Sequence, residues 1–282
     1  MRFICLSVTV LILLSACGGT SSVRPSASSL RRADVDLLAK GMQEQVERNF
    51  TVLQHKLVNR YINSMGQSIV SRNPQMPPLP YQFKVLREST VNAFSLPGGT
   101  VYLTLGMISS LAFEGQVAAA IAHELAHQDS GHALILWRER IDGASQWLNS
   151  PKASARSEFE RLYFSEDGLF YYGENYEREA DEIALILLYQ AGYDPRAYLS
   201  FLEAIAKINE KNPRLTKLYF AVHPSVESRI NRTREYLKLL PPRQDSRLTS
   251  SNFKEVKHLL KLADKMKEGA NKTPSISNEK QN

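Results

Sequence analysis

Cysteine is nearly absent. The chain has two, Cys5 and Cys17, and nothing beyond residue 17 can be held by a disulfide. Long apolar runs are missing too. Past residue 17 none reaches 18 residues, which excludes a multi-span membrane protein. No stripe of Lys and Arg interleaved with aromatics is present, and the formal net charge of +6 is modest and spread along the chain. Nucleic acid is therefore excluded as a partner, and only weak attraction to anionic lipid remains. There is no internal repeat. What is present suits one globular domain: 282 residues, 43% hydrophobic and 23% charged, are ample for a core.

Met1-Arg2 precedes an apolar run from Phe3 to Leu14, then Ser15-Ala16-Cys17-Gly18. A basic start, a dozen apolar residues and small residues at a cut site predict an export signal over residues 1–16, too short to span as a mature helix. Leu14-Ser15-Ala16-Cys17 resembles a bacterial lipobox, which implies lipidation of Cys17 and anchoring to the outer membrane, facing the periplasm. Residues 17–29 are Ser-rich and read as a tether.

The chemistry is concentrated in His123-Glu124-Leu125-Ala126-His127. It lies in Val117 to His127, an alanine-rich run without proline or glycine, which predicts a helix. Residues four apart share a helix face, so both imidazoles can bind one zinc ion while Glu124 reaches the water that such an ion activates. That combination predicts peptide hydrolysis with Glu124 as general base. The pentapeptide is short enough to arise by chance, and an ordinary amphipathic helix is the alternative.

A third ligand is needed. The extended motif with a third histidine is ruled out, since its glycine and histidine positions are Ser130 and Ala133. His132, one residue early, reads as a helix-end histidine near the site. The other arrangement takes a glutamate from a later helix. Glu177-Arg178-Glu179-Ala180-Asp181 leads into such a helix, which Gly192 ends. Glu177 and Asp181 share a face, so Glu177 can bind metal while Asp181 accepts the spare N–H of a ligand histidine. The alternative is an acidic first turn complementing the helix dipole.

Four separated pieces resemble one family, the HtpX- and BepA-like zinc metallopeptidases related to the CAAX prenyl proteases. They are Asn92 to Tyr102, Ala122 to His127, Glu177-x-x-Ala180-Asp181, and His223-Pro224 followed by Arg229, in the family's order. The layout is closest to its small outer-membrane lipoprotein members. The resemblance implies an α+β, mainly helical, zincin-like domain with a small sheet or hairpin beside the His-Glu-x-x-His helix. It implies His123, His127 and Glu177 as ligands of one zinc ion per chain, Glu124 as base, and Asp181 behind the ligands; Arg229, six residues after His223, is a candidate partner for Asp181 or another buried acid. One departure is Gly173-Glu174, where the family carries Ser-Arg. It follows a long stretch with Trp147, Tyr163, Phe164, Phe170, Tyr171 and Tyr172, which bears on the cleft wall.

His223 has two open roles at the site, oxyanion stabiliser or regulatory ligand filling the free zinc position, beside a plain helix-start reading of His-Pro. Val91 to Leu96 and Thr100 to Leu105 predict a hairpin around Pro97-Gly98-Gly99, with Asn92 and Phe94 as candidates for contact with an extended substrate strand. The expected organisation is helices over 30–73, a catalytic core over 80–240, and an extension over 241–282 with a helix at 253–266 and a disordered tail. The expected function is hydrolysis of misfolded or misassembled envelope polypeptides, with envelope assembly machinery as a further partner. The rival is a chaperone-like or binding lipoprotein whose zinc is structural, or whose site His223 holds shut.

Overall fold

The computed structural model describes residues 32–139, 163–164, 171–241 and 246–270. The signal, Cys17, the tether, Trp147, Phe170 and the tail from 271 lie outside the described residues. Ten helices (α1 to α10) and three strands are present among those described: α1 Arg32–Asn49, α2 Lys56–Ser71, β1 Gln82–Leu86, β2 Ala93–Leu96, β3 Thr100–Thr104, α3 Leu105–Ser110, α4 Glu114–Asp129, α5 His132–Glu139, α6 Glu174–Gln190, α7 Arg196–Lys211, α8 Pro213–Val222, α9 Val226–Leu239 and α10 Ser251–Ala270. The fold is mainly helical with one small sheet. No described helix is long and apolar enough to cross a membrane.

The helical reading of residues 30–70 resolves into α1 and α2. Leu38, Met42 and Val46 are buried as their spacing predicts, followed by Phe50 beyond the helix. In α2 the buried face is Val58, Ile62, Met65 and Ile69, while Leu57 is half exposed.

The hairpin of β2 and β3 is antiparallel, with Phe94 opposite Tyr102. Gly98 and Gly99 turn it at φ of 86° and 100°, a region that only glycine enters at little cost. The sheet has a third member: β1 lies parallel to β3, giving the order β1-β3-β2. Side chains alternate across these strands. Ala93, Val101 and Leu103 join the main core, while Phe94, Leu96 and Tyr102 join a second cluster with α1, Tyr163 and Phe164.

Helix α4 runs through the middle of the main core. Every residue from Glu114 to Gln128 is buried, so its apolar surface wraps fully round. Alanines 118, 119, 120, 122 and 126 of α4, with Ala180 and Ala184 of α6, belong to that core, and small side chains let the two helices pack closely. Gln128 donates to the Leu96 carbonyl at 2.6 Å, tying the C-terminal end of α4 to β2.

The chain after Pro241 returns to this same core. Phe253, Val256 and Leu260 of α10 are buried in it, and Lys257 donates to the carbonyls of Ile108, Ser109 and Leu111 at the end of α3. Residues 246–250 lace over the start of α4, where the Gly115 amide donates to the Leu248 carbonyl at 2.8 Å. Because Phe253 is 1% exposed, Phe253→Ala is expected to lower unfolding free energy by ~3–5 kcal/mol. Urea titration followed by circular dichroism should show one transition, moved to lower denaturant.

Candidate metal centre

His123, His127, Glu177 and His223 each present a donor atom, all within 4.8 Å of one another, and all four are buried. Two helices and one link supply them. His123 and His127 stand one turn apart on α4. Glu177 occupies the first turn of α6. His223 closes the last turn of α8, its amide donating to the Tyr219 carbonyl at 2.8 Å. The expected helix start at His-Pro lies later. Ser225 takes a left-handed conformation at φ 62° and α9 begins at Val226, so His223 sits at a junction of two helices.

The spacing of the donors can be tested against an ion. A tetrahedral zinc with bonds of ~2.0–2.1 Å keeps its donor atoms ~3.3–3.4 Å apart. His123 Nε2 lies 3.2 Å from His127 Nε2 and 3.4 Å from Glu177 Oε2. His127 Nε2 lies 3.3 Å from Glu177 Oε1. The Nδ1 of His223 lies 3.2 Å from His123 Nε2 and 2.8 Å from Glu177 Oε1. These pairs thus lie near the edge length of such a site, with all four donors inside 4.8 Å of one another, and two neutral histidines with a carboxylate are a donor set that suits zinc.

One arginine serves two of the buried carboxylates. Arg229 Nη1 lies 2.5 Å from Glu177 Oε2, while its Nε and Nη2 donate to Asp181 at 3.0 and 2.7 Å. All three groups are fully buried. Burial pushes the Glu177 carboxyl up, but the Arg229 guanidinium, then His223 and His123, hold it well below the usual carboxylate range. Burial pulls His127 well below an ordinary imidazole, opposed only in part by Glu177. Burial also lowers His223, yet the Glu177 charge beside it wins and raises that imidazole. A bound cation would reverse the last preference.

Asp181 meets His123 through a third residue. The Tyr198 hydroxyl donates to Asp181 Oδ1 at 2.6 Å and stands 2.9 Å from His123 Nδ1, whereas Asp181 itself is 3.5 Å from that nitrogen. Since the hydroxyl proton is committed to Asp181, the hydroxyl oxygen accepts from His123 Nδ1–H. This leaves His123 Nε2 as a lone-pair donor toward the centre. Nothing local in the sequence marked Tyr198, a single tyrosine on an amphipathic helix.

Glu124 points at the same space. Neither of its carboxylate oxygens has a hydrogen-bond partner among the described residues, and His223 Nε2 is 3.4 Å from Oε1. The ring of Tyr172 stacks on His127 with centroids 3.7 Å apart and 17° between planes. Its hydroxyl is buried and unpartnered among the described residues. Burial, then the Glu124 and Glu177 charges, keeps it a neutral phenol. Tyr172 came from the aromatic stretch before the ligand helix, so that stretch contributes a wall of the site. Asn92 and Phe94 are not at this point. Phe94 is buried against Tyr102 and Phe164, and Asn92 is buried with its Oδ1 unpartnered among the described residues.

Glu177, held low, contributes stability that is present above the ordinary glutamate range and is lost as pH falls through and below it. Arg229→Leu removes the cation that creates this term. The metal-free variant is expected to be less stable at pH 7 by ~3–5 kcal/mol, with the gap narrowing toward pH 3, as thermal melts across that range would record.

Comparison with known proteins gives a consistent picture. A family model described as peptidase family M48 matches residues 56–237. The beta-barrel assembly-enhancing protease of Escherichia coli (strain K12) is 26% identical over 212 residues, covering 70% of this chain and 42% of that protein. The mitochondrial metalloendopeptidase OMA1 of Schizosaccharomyces pombe is 32% identical over 183 residues, covering 64% of this chain and 52% of that protein. The human mitochondrial metalloendopeptidase OMA1 is 27% identical, with 56% and 32% covered. The chain spans about half or less of the length of these relatives.

Proposed function

The chain belongs to peptidase family M48, and on that premise we propose that it is a zinc-dependent endopeptidase acting on misfolded or misassembled proteins of the bacterial envelope. The observation that carries this reading is the convergence of His123, His127 and Glu177 from α4 and α6 at distances of 3.2, 3.4 and 3.3 Å, with the Glu124 carboxylate, which accepts no hydrogen bond among the described residues, beside them. The substrate class is supported by the relatives named for β-barrel assembly. A Cys17 lipid anchor and an outer-membrane location facing the periplasm belong to the same proposal, as does contact with envelope assembly machinery.

In this reading His123, His127 and Glu177 hold the ion. Zinc there would supply Lewis acidity, bringing the pKa of water to about 7 and polarising a peptide carbonyl. Glu124 takes the proton released by the attacking water and passes it to the leaving amine, a role open to a carboxylate that accepts no hydrogen bond among the described residues. Arg229 keeps Glu177 ionised and, with Asp181 and Tyr198, keeps His123 in the tautomer that offers Nε2 inward. A structural zinc would need no free carboxylate beside its first histidine, which favours the enzyme over a binding lipoprotein.

A second reading concerns the resting state. His223 Nδ1 is a fourth donor in the group, and Tyr172 covers the ring of His127. With His223 as a fourth protein donor, a tetrahedral ion held there would have no position left for water. We infer that this arrangement is latent and that catalysis requires His223 to move aside, after which its imidazole can serve the developing oxyanion.

Glu124→Gln should retain stoichiometric zinc by mass spectrometry under native conditions while cleavage of an unfolded protein such as casein disappears. His123→Ala and Glu177→Ala should lose the zinc itself. Full cleavage by Glu124→Gln would remove the proposed base.

A further inference from the structure

His132 is the buried titratable group beside the centre that the foregoing mechanism leaves unused. On an unbroken helix a residue five positions after His127 would point ~140° away from it. The chain avoids this. Helix α4 ends at Asp129, Gly131 takes a φ of 67°, and α5 begins at His132. The left-handed turn brings the second ring back, so that His132 Nδ1 stands 2.9 Å from His127 Nδ1. Both rings are at most 1% exposed.

Two nitrogens at that distance share one proton, and the rest of the arrangement decides its owner. If His127 is to offer Nε2 to the ion, its proton must be on Nδ1, and His132 Nδ1 must accept it. The proton of His132 then lies on Nε2. That nitrogen faces Glu179, whose Oε2 is 3.7 Å away. The other carboxylate oxygen accepts from the Ser130 hydroxyl at 3.2 Å. Tyr176 packs on the His132 ring with centroids 4.6 Å apart. A row from partly exposed carboxylate to buried ligand results, with the Glu179 charge near the Nε2 proton of His132 and a hydrogen bond joining His132 to His127.

We propose that His132, with the Glu179 carboxylate beyond its far nitrogen, is a positioning residue that fixes His127 as its Nδ1–H tautomer and thereby sets the affinity of the centre for its metal. The inference rests on the metal-binding reading of His123, His127 and Glu177. It assigns His127 a support of its own, separate from the Tyr198–Asp181–Arg229 group behind His123. It also gives Glu179, which points away from the donors, a role through His132.

The test measures zinc affinity of the full chain by competition with a chromophoric chelator, together with the visible spectrum of the cobalt(II)-substituted protein. Partners of metal-bound histidines are worth ~10–100-fold in affinity, so His132→Leu should weaken zinc by that factor, while His132→Asn, whose amide oxygen can stand where Nδ1 accepted, should stay within about threefold of wild type. The cobalt bands should shift in His132→Leu and return in His132→Asn. A structural role alone would not distinguish the two variants in this order. Wild-type affinity and spectrum in His132→Leu would overturn the proposal. If His132→Leu does not fold, a His132→Asn protein that folds yet binds zinc tenfold or more weakly overturns it equally. Failure of wild type to bind zinc, or unchanged affinity in His123→Ala, would instead remove the metal centre and the proposal with it.

Discussion

Arg229 is the group on which the rest of the structure depends. Around it the core buries Glu177, Asp181, Glu124 and three histidines at no more than 1% exposure. Moving such ions out of water costs several kcal/mol each unless they are paired. A lysine could have shed its proton in this setting. A guanidinium does not, and its planar fork can serve two carboxylates at once. Glu177 and Asp181 stand one helical turn apart, and the two sides of the fork reach one each. The cation brings α9 to α6 and fixes the face that α6 turns toward α4.

Geometry then follows from packing. Alanines at the contact of α4 and α6 bring their axes close enough for side chains of one turn on each helix to converge. The sheet closes the C-terminal end of α4 through Gln128, and α10 covers the main core beside α3. The link after α8 delivers His223 because that residue, set before Pro224, leaves the helix at φ −122° and ψ 79°, and Ser225 then bends left-handed into α9. These constraints come from separate parts of the chain, yet each acts on the position of the same few donor atoms.

Much of this was legible in the sequence where short spacing encodes direction. His123 with His127, and Glu177 with Asp181, are i,i+4 pairs on alanine-rich or acidic helical runs. Their meeting across 50 residues became readable only with the additional pieces carrying the family resemblance. The hairpin announced itself through Pro97-Gly98-Gly99, but β1 did not announce its parallel pairing with β3, because such a partner is chosen by tertiary packing. Tyr198 was invisible for a related reason: a tyrosine on a helix face carries no sign of what its hydroxyl will meet. His132 stood in plain view beside the motif, and only the φ of Gly131 reveals that it turns back. The helix after Pro241 was readable, whereas its place in the core depended on where Phe253 and Lys257 land.

The Tyr172 ring lies flat against His127 while its amide donates to the Val222 carbonyl at 3.1 Å, next to His223. One residue therefore touches a metal-helix imidazole with its side chain and the helix junction with its backbone. A displacement of the Tyr172 backbone would act on both the ring's seat and the segment carrying His223. In the proposed latent state, the cover on one imidazole and the position of the other thus hang on a single residue, and release of the two would be coupled through it.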